Sequence, residues 1–249
     1  MSENPQKPSG ELTLLQLLPN VLTVAAICAG LSAIRFGVQG NYTLAVLLII
    51  LAGVLDGVDG RLARALGSSS KIGAELDSLA DFLNFGVAPP LLLYFWGLDH
   101  FRGIAWISVL VFAVCSVMRL ARFNVGAKAD ATERPDTAYF QGVPSPAGAL
   151  LVMLPMYLSF LFGNKPVLPE PVICIYMVAV GLLLISRIPT WSFKKTRISR
   201  ENVKFFLIAV TATLAALLTF PWATLIVLCL AYVGMVIWAL LEKRKSSAG

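Results

Sequence analysis

Long apolar segments, each of about 20 residues, follow one another along most of this 249-residue chain. A segment of that length and character can cross the hydrocarbon core of a bilayer as an α-helix. Only 14% of the residues are charged and 57% are hydrophobic, whereas soluble domains carry about 25% charged residues. The chain is therefore predicted to be an all-α integral membrane protein.

Eight such segments can be delimited, although only the turn residues between Gly163 and Pro171 separate the fifth from the sixth. A count of six or seven spans stays open. The polar residues 1–11 are expected to form a disordered cytoplasmic tail, and residues 12–249 a single transmembrane domain. The predicted spans are residues 18–38, 42–64, 75–97, 102–122, 144–163, 167–186, 203–219 and 222–241.

The basic residues predict the orientation of these spans. With both termini in the cytoplasm, 17 of the 20 Lys and Arg residues lie on the cytoplasmic side, and only Arg35, Arg102 and Lys165 lie outside. Short cytoplasmic loops retain basic residues, so we predict a multi-pass protein of the cell (inner) membrane with both ends inside. Because these cations adjoin helix ends, their expected partners are anionic lipid headgroups and not nucleic acid.

Five of the 14 acidic residues lie between positions 55 and 81, although apolar helices flank this stretch on both sides. Asp56 and Asp59 are three residues apart on one predicted helix, and Asp77 and Asp81 are four apart on the next, so each pair shares a helix face. A charge inside a membrane helix costs about 2.5–3.5 kcal/mol and usually marks a functional site. The GSSSK turn allows the helices to run antiparallel, so the four aspartates are predicted to converge. Glu75 does not fit this helical spacing.

Carboxylates held this close repel one another unless cations lie between them. An oxygen-only ligand set, without His or Cys, selects magnesium, calcium or manganese. Two divalent cations would satisfy four aspartates and leave positions for phosphate oxygens, and Arg61, Arg64 and Lys71 are near enough in sequence to meet a phosphorylated ligand. Acidic residues in membrane helices also mark ion paths, so a cation transporter is the alternative from another class.

The pattern Asp56-x2-Asp59-Gly60-x2-Ala63-Arg64-x8-Gly73-x3-Asp77-x3-Asp81 resembles the signature of the CDP-alcohol phosphotransferases, with every fixed position filled. The resemblance implies a core of six helices with two further spans outside it, a homodimer, and two cations, Mg²⁺ or Mn²⁺, bound by the four aspartates. It implies that Asp81 is also the base that takes the proton from the attacking hydroxyl. The residues expected to bind the CDP-linked lipid are Asn20, Asp56, Asp59, Gly60, Ala63, Arg64, Gly73 and Asp77.

Residues 119–124 and 139–149 resemble segments of those family members whose acceptor alcohol is serine. This resemblance predicts transfer of the phosphatidyl group from CDP-diacylglycerol to L-serine, which gives phosphatidylserine and CMP. Serine carries a carboxylate that an arginine can bind through two hydrogen bonds. Glycerol 3-phosphate, choline and inositol remain alternative acceptors. The candidate serine-binding residues are Arg119, Arg122, Asn124 and Gln141.

Overall fold

The computed structural model of the protein describes residues 14–68, 70–128, 140–163, 166–186, 189–190 and 203–246. The predicted tail at residues 1–11 lies outside this part of the chain. Two strands of two residues each, β1 (Phe140–Gln141) and β2 (Pro189–Thr190), pair in antiparallel fashion. All longer elements are helical, as predicted: α1 (Leu14–Val38), α2 (Tyr42–Ala65), α3 (Lys71–Asp81), a π-helical segment (Phe82–Val87), α4 (Ala88–Gly97), α5 (Arg102–Lys128), α6 (Ser145–Val152), α7 (Leu154–Leu161), α8 (Glu170–Ile185), α9 (Val203–Thr219) and α10 (Pro221–Ser246).

Five helical stretches in the described residues are long and apolar enough to cross a membrane, which makes this a multi-pass membrane protein. They confirm five of the eight predicted spans, and the count of eight is not confirmed. The other three predicted spans correspond to shorter helices. The fifth contains α6 and α7 with eight residues each, the sixth contains α8 with 16, and the seventh contains α9 with 17. At 1.5 Å per residue, 16 or 17 residues reach about 24–26 Å, which is short of the roughly 30 Å hydrocarbon core. The five stretches are Leu15–Val38, Tyr42–Ala65, Lys71–Gly97, Arg102–Gly126 and Pro221–Leu241.

The predicted fifth span is interrupted at Met153, which separates α6 from α7 with φ of −82° and ψ of 0°. Pro155 stands in the first turn of α7. Proline has no N–H to donate to a helical carbonyl, and its ring collides with the preceding turn, so it ends a continuous helix. Hydropathy alone does not reveal this break, because the residues around Met153 are as apolar as a true span.

Small side chains allow α1 and α2 to pack closely. Ala26, Ala29 and Ala33 of α1 are buried, as are Ala45 and Ala52 of α2. Membrane helices associate through such small residues because lipid provides no hydrophobic driving force between them. Helix α1 also contacts α3, the π-helical segment and α4. It therefore packs against both helices that carry the aspartates, α2 and α3.

The helix that begins with α3 widens into the π-helical segment directly after Asp81. Such a segment adds a residue to the helical turn, so α3 and α4 do not present one continuous face. Asn84 within this segment is fully buried. A Cβ on Gly30 would overlap the Asn84 amide, so glycine at this position is what allows α1 to approach the segment.

The remaining helices close the bundle around a common apolar core. Helix α8 lies against α5, where a Cβ on Gly181 would be 3.1 Å from the Cα of Phe112, and α10 packs on α7. At the end of the bundle opposite the aspartates, the Glu170 carboxylate accepts hydrogen bonds from the backbone N–H groups of His100 (3.0 Å) and Phe101 (3.2 Å). These contacts join the α4–α5 turn to the start of α8.

Candidate active site

Three of the four predicted carboxylates meet beside the turn that joins α2 to α3. One carboxylate oxygen from each of Asp56, Asp59 and Asp77 lies within 4.8 Å of the other two. Asp56 and Asp59 reach this point from one face of α2, and Asp77 reaches it from α3, as the helical spacing predicted. Asp59 is buried, and the other two side chains are partly exposed.

The connection between α2 and α3 is built from turn residues. Gly67 adopts a φ of 60°, a left-handed conformation that favours glycine. Ser70 then caps α3, because its hydroxyl accepts a hydrogen bond from the Gly73 N–H at 2.9 Å. The chain therefore reverses within a few residues, and the acidic faces of both helices come together.

The fourth carboxylate, that of Asp81, stands beside the group of three and does not belong to it. It lies one turn further along α3 than Asp77, a displacement of about 6 Å at the helical rise of 1.5 Å per residue. Its carboxyl group is at hydrogen-bond distance from that of Asp56. Its Oδ1 atom is buried and has no hydrogen-bond partner among the described residues. The predicted convergence of four carboxylates is thus found for three, with Asp81 next to Asp56.

Thr23 of α1 orients the most buried carboxylate of the group. Its hydroxyl donates a hydrogen bond of 2.6 Å to Asp59 Oδ2, while Asp59 Oδ1 is buried without a partner in the described part of the chain. Sequence reasoning did not identify Thr23. The available signal was its position three residues after Asn20, which places both side chains on the same side of α1.

The donor set of this site fits a hard divalent cation. All of its candidate ligand atoms are carboxylate oxygens, the type that Mg²⁺ and Mn²⁺ prefer. The oxygens of the three clustered aspartates are near enough to share an ion, and buried oxygens of Asp59 and Asp81 have no partner among the described residues. Buried polar atoms are rarely left without a partner, and a bound cation would satisfy Asp59 Oδ1.

A pocket of about 210 Å³ opens beside the carboxylates, between α1, α2 and the start of α3. Seven of the eight residues predicted to bind the CDP-linked lipid line it, and Asp56 does not. The prediction missed five lining residues, two of which are serines of the turn between α2 and α3. The predicted lining residues are Asn20, Asp59, Gly60, Ala63, Arg64, Gly73 and Asp77, and the missed ones are Pro19, Thr23, Ser68, Ser70 and Ala74.

Gly60 and Gly73 shape the pocket in different ways. A Cβ on Gly60 would meet no protein atom within 4 Å, so the space in front of this glycine is open. A Cβ on Gly73 would lie 2.9 Å from Asn20 Oδ1 and 3.0 Å from Ser70 Oγ. Gly73 therefore permits the close approach of α3 to α1, whereas Gly60 leaves room for a ligand.

The two candidate arginines at the end of α5 have different surroundings. Arg119 is partly buried, donates a hydrogen bond from Nη1 to Ser145 Oγ and interacts electrostatically with Asp81. Its Nε is buried without a hydrogen-bond partner among the described residues. Arg122 is exposed and donates to the backbone carbonyl of Ile185 at 3.1 Å. The structure therefore brings Arg119, and not Arg122, close to the carboxylates.

The other two candidate serine contacts do not line the pocket. The Asn124 Nδ2 donates a hydrogen bond of 3.0 Å to Ser78 Oγ, which ties the end of α5 to α3. The backbone of Gln141 pairs with Pro189 in the short β-ladder, and its side chain lies outside the described part of the structure. Asn124 thus makes a contact between helices.

Sequence models of known families match nearly the whole chain. One described as CDP-alcohol phosphatidyltransferase matches residues 16–191, and one described as CDP-alcohol phosphatidyltransferase 2 matches residues 201–236. A CDP-diacylglycerol–serine O-phosphatidyltransferase of Mycobacterium leprae is 38% identical over 231 residues, 92% of this chain and 76% of that protein. A protein of the same name from Helicobacter pylori strain J99 is 33% identical over 244 residues, 94% of this chain and 98% of that protein.

Among solved structures, the chain resembles Mycobacterium tuberculosis phosphatidylinositol phosphate synthase with CDP-DAG bound. The TM-score is 0.47 and the sequence identity 21%, with 70% of this chain and 81% of the other covered.

Proposed function

Because this chain belongs to the CDP-alcohol phosphatidyltransferase family, we propose that it transfers the phosphatidyl group of CDP-diacylglycerol to the hydroxyl of L-serine. The products are phosphatidylserine and CMP. The observation that carries the proposal is the group of carboxylates beside an open pocket, which joins a site for divalent cations to space for a nucleotide. Membership of this family shows that the protein is an enzyme and argues against the alternative hypothesis of a cation transporter.

The pocket would bind the CDP part of the lipid substrate. Gly60 and Ala63 leave the α2 wall without large side chains, and Arg64 supplies a cation for the diphosphate. Asn20 on α1 and the hydroxyls of the α2–α3 turn offer neutral hydrogen bonds to the nucleotide. Each of these groups lies on a short, capped connection or a helix face, so the pocket is formed before the substrate arrives.

Asp56, Asp59, Asp77 and Asp81 would hold two divalent cations, Mg²⁺ or Mn²⁺. When bound, these ions neutralise charge on the diphosphate and on the departing CMP. The chain itself fixes the ligands: the Thr23 hydroxyl holds one oxygen of Asp59 and leaves the other free to coordinate.

The transfer would be a single direct displacement with Asp81 as the general base. The serine hydroxyl oxygen forms a bond to the phosphorus that carries the diacylglycerol, and the bond from that phosphorus to the CMP oxygen breaks. Asp81 accepts the hydroxyl proton through its buried Oδ1, which has no partner among the described residues. A base must lie within hydrogen-bond reach of the proton it takes, and Asp81 lies outside the group of three carboxylates that could share an ion.

Arg119 would bind the serine carboxylate. It interacts electrostatically with Asp81, and its Nη1 already donates a hydrogen bond to Ser145, which orients the guanidinium. A guanidinium fixed in this way loses little side-chain freedom on binding a carboxylate. Glycerol 3-phosphate would require further cations for its dianionic phosphate, whereas one guanidinium, that of Arg119, suffices for the serine carboxylate.

The membrane arrangement proposed here is a single domain, residues 12–249, with eight spans and a homodimeric assembly in the cell membrane. Helices α6 with α7, α8, and α9 would supply three shorter spans beyond the five long ones, because a bilayer can thin locally around a helix shorter than its hydrocarbon core. The excess of basic residues in the loops next to the aspartates supports a cytoplasmic active site and cytoplasmic termini.

Release of CMP by the purified protein tests the function. The protein in detergent is mixed with CDP-diacylglycerol, Mn²⁺ and one acceptor at a time: L-serine, glycerol 3-phosphate, choline or inositol. We expect CMP release with serine, its loss when EDTA removes the cation, and its return with added Mn²⁺ or Mg²⁺. Release with another acceptor but not with serine would show that the acceptor is wrong, and release with none of them would contradict the enzyme mechanism.

Conservative replacement of the two arginines separates their roles. Arg119→Lys is expected to raise the KM for serine about tenfold, because a lysine cannot reproduce a bidentate contact to a carboxylate. Arg122→Lys is the matched control, three residues away and exposed, and should change this KM less than about twofold. Both KM values, for serine and for CDP-diacylglycerol, are measured by CMP release. Equal effects of the two variants would remove Arg119 from the serine site.

A further inference from the structure

We infer that Tyr232, on the last helix, completes the acceptor site by donating a hydrogen bond from its hydroxyl to the carboxylate of the acceptor alcohol. The inference rests on the proposed function and adds a specificity-determining residue to it. One family sequence model covers the aspartates and ends at residue 191, and a second covers residues 201–236, which include Tyr232. Helix α10 would therefore have a part in substrate choice besides its part in the fold.

Tyr232 belongs to the face of α10 that points into the protein. Leu225, Cys229 and Val236 are buried and recur at helical spacing with Tyr232. The Cys229 thiol also lies 3.5 Å from the backbone carbonyl of Leu150 in α6. Neighbours on the opposite face are exposed, as expected of a lipid-facing surface. The Tyr232 side chain is therefore directed at α6.

Three polar groups with unused hydrogen-bonding capacity come together at this place. The Tyr232 hydroxyl, the Arg119 Nε and the Asp81 Oδ1 are each buried without a hydrogen-bond partner in the described part of the chain. Arg119 Nη1 donates to Ser145 at the start of α6, and Tyr232 follows Cys229 by one helical turn, where the Cys229 thiol contacts the Leu150 carbonyl of the same α6. Helix α6 therefore has both side chains beside it, and the electrostatic interactions of Arg119 with Asp81 and Tyr232 agree with this placement. Buried polar groups without partners are rare in native proteins, and three in one place indicate that a ligand supplies the missing partners.

The chemistry of these groups matches a small acceptor with one carboxylate and one hydroxyl. Asp81 accepts the proton of the hydroxyl, and Arg119 offers a charged donor to the carboxylate. The Tyr232 phenol is a second donor that carries no charge at neutral pH. A second cation at this position would repel the ammonium group of an amino acid, whereas a phenol does not. The arrangement therefore favours an amino acid over a phosphorylated alcohol.

Tyr157 provides a matched control within the same protein. It lies on α7, its hydroxyl is also buried without a partner in the described residues, and its ring stacks on Trp222 of α10 with centroids 6.4 Å apart. No interaction between Tyr157 and Arg119 is found among the described residues. Replacing Tyr157 by Phe therefore also removes one buried phenol hydroxyl, at the contact between α7 and α10 and away from the acceptor site.

The experiment compares wild type, Tyr232→Phe and Tyr157→Phe in CMP release, with L-serine, serine methyl ester and ethanolamine as acceptors. For Tyr232→Phe we expect the KM for serine to rise about tenfold, the effect of losing one hydrogen bond to a charged group, with an unchanged KM for CDP-diacylglycerol. The preference for serine over the two acceptors without a free carboxylate, taken as a ratio of kcat/KM values, should fall by the same factor. Tyr157→Phe should change neither quantity by more than about twofold.

A Tyr232→Phe enzyme that keeps the wild-type preference for serine would overturn the inference, as would an equal loss in Tyr157→Phe. Both variants retain the aromatic ring, so they should fold, and thermal unfolding in detergent checks this. The wild-type arm tests the proposed function separately. If wild type releases no CMP with serine, the proposed function fails whatever the variants do. If wild type releases CMP with serine and Tyr232→Phe keeps the same preference for serine, only the role of α10 is overturned.

Discussion

Replacement of Asp81 by asparagine is expected to lower the rate of CMP release by about a thousandfold, within the range attributed to a lost general base. Asparagine keeps the shape of the side chain and cannot take the proton of the attacking hydroxyl. Because Asp81 lies outside the mutual contact of Asp56, Asp59 and Asp77, those three carboxylates should still assemble. Binding of CDP, measured by calorimetry with Mn²⁺ present, should therefore persist while turnover is lost.

Glu75→Gln is the matched control for this variant. Glu75 is an exposed carboxylate on the same helix, and it is not among the residues that line the pocket. Its replacement should leave CMP release within about twofold of wild type. An Asp81→Asn enzyme with wild-type turnover would remove Asp81 from the role of base. Loss of CDP binding along with turnover would indicate instead that Asp81 acts mainly as a ligand of the cations.

Replacement of Gly60 by leucine is expected to lower kcat/KM for CDP-diacylglycerol by about 10- to 100-fold, the effect of a clash of about 1–3 kcal/mol. A Cβ at this position meets no protein atom within 4 Å, so the larger side chain would extend into the pocket and displace the nucleotide. The fold should tolerate the change, because leucine favours a helix by roughly 0.5–1 kcal/mol relative to glycine. Thermal unfolding and CMP release are measured on the same preparation.

Gly57→Leu separates loss of pocket volume from a general effect on α2. Gly57 lies one turn earlier on the same helix, where a Cβ would likewise meet no protein atom within 4 Å, and it does not line the pocket. Its replacement should preserve kcat/KM and the unfolding temperature. If both variants lose activity equally, the open space at Gly60 is not the nucleotide site. If neither does, the CDP group binds elsewhere.

Helical periodicity was sufficient to locate the acidic site. The intervals of three and four residues place each aspartate pair on one face whatever the neighbouring helices do, and the structure brings Asp56, Asp59 and Asp77 together. Periodicity does not specify, however, how far one helix is shifted along its axis relative to its neighbour. The position of Asp81 beside Asp56 depends on where α2 and α3 lie relative to each other in the bundle.

The choice between Arg119 and Arg122 illustrates what sequence reasoning cannot decide. Both are arginines at the end of one helix, three residues apart, and either can be a membrane anchor or a ligand. Their surroundings are set by α6, which supplies Ser145 to Arg119, and by the end of α8, whose Ile185 carbonyl binds Arg122. These partners are 26 and 63 residues away along the chain, beyond the reach of any local pattern.

The sequence by itself determined that the chain has helices able to cross a membrane and that aspartates of two successive helices come together, because hydropathy and helical spacing are local properties. Only the tertiary structure decided that Thr23 of α1 holds Asp59 and that Ser145 of α6 binds Arg119. Each of these depends on packing between segments distant in sequence, where the identity of the neighbour is settled by the shape of the whole bundle.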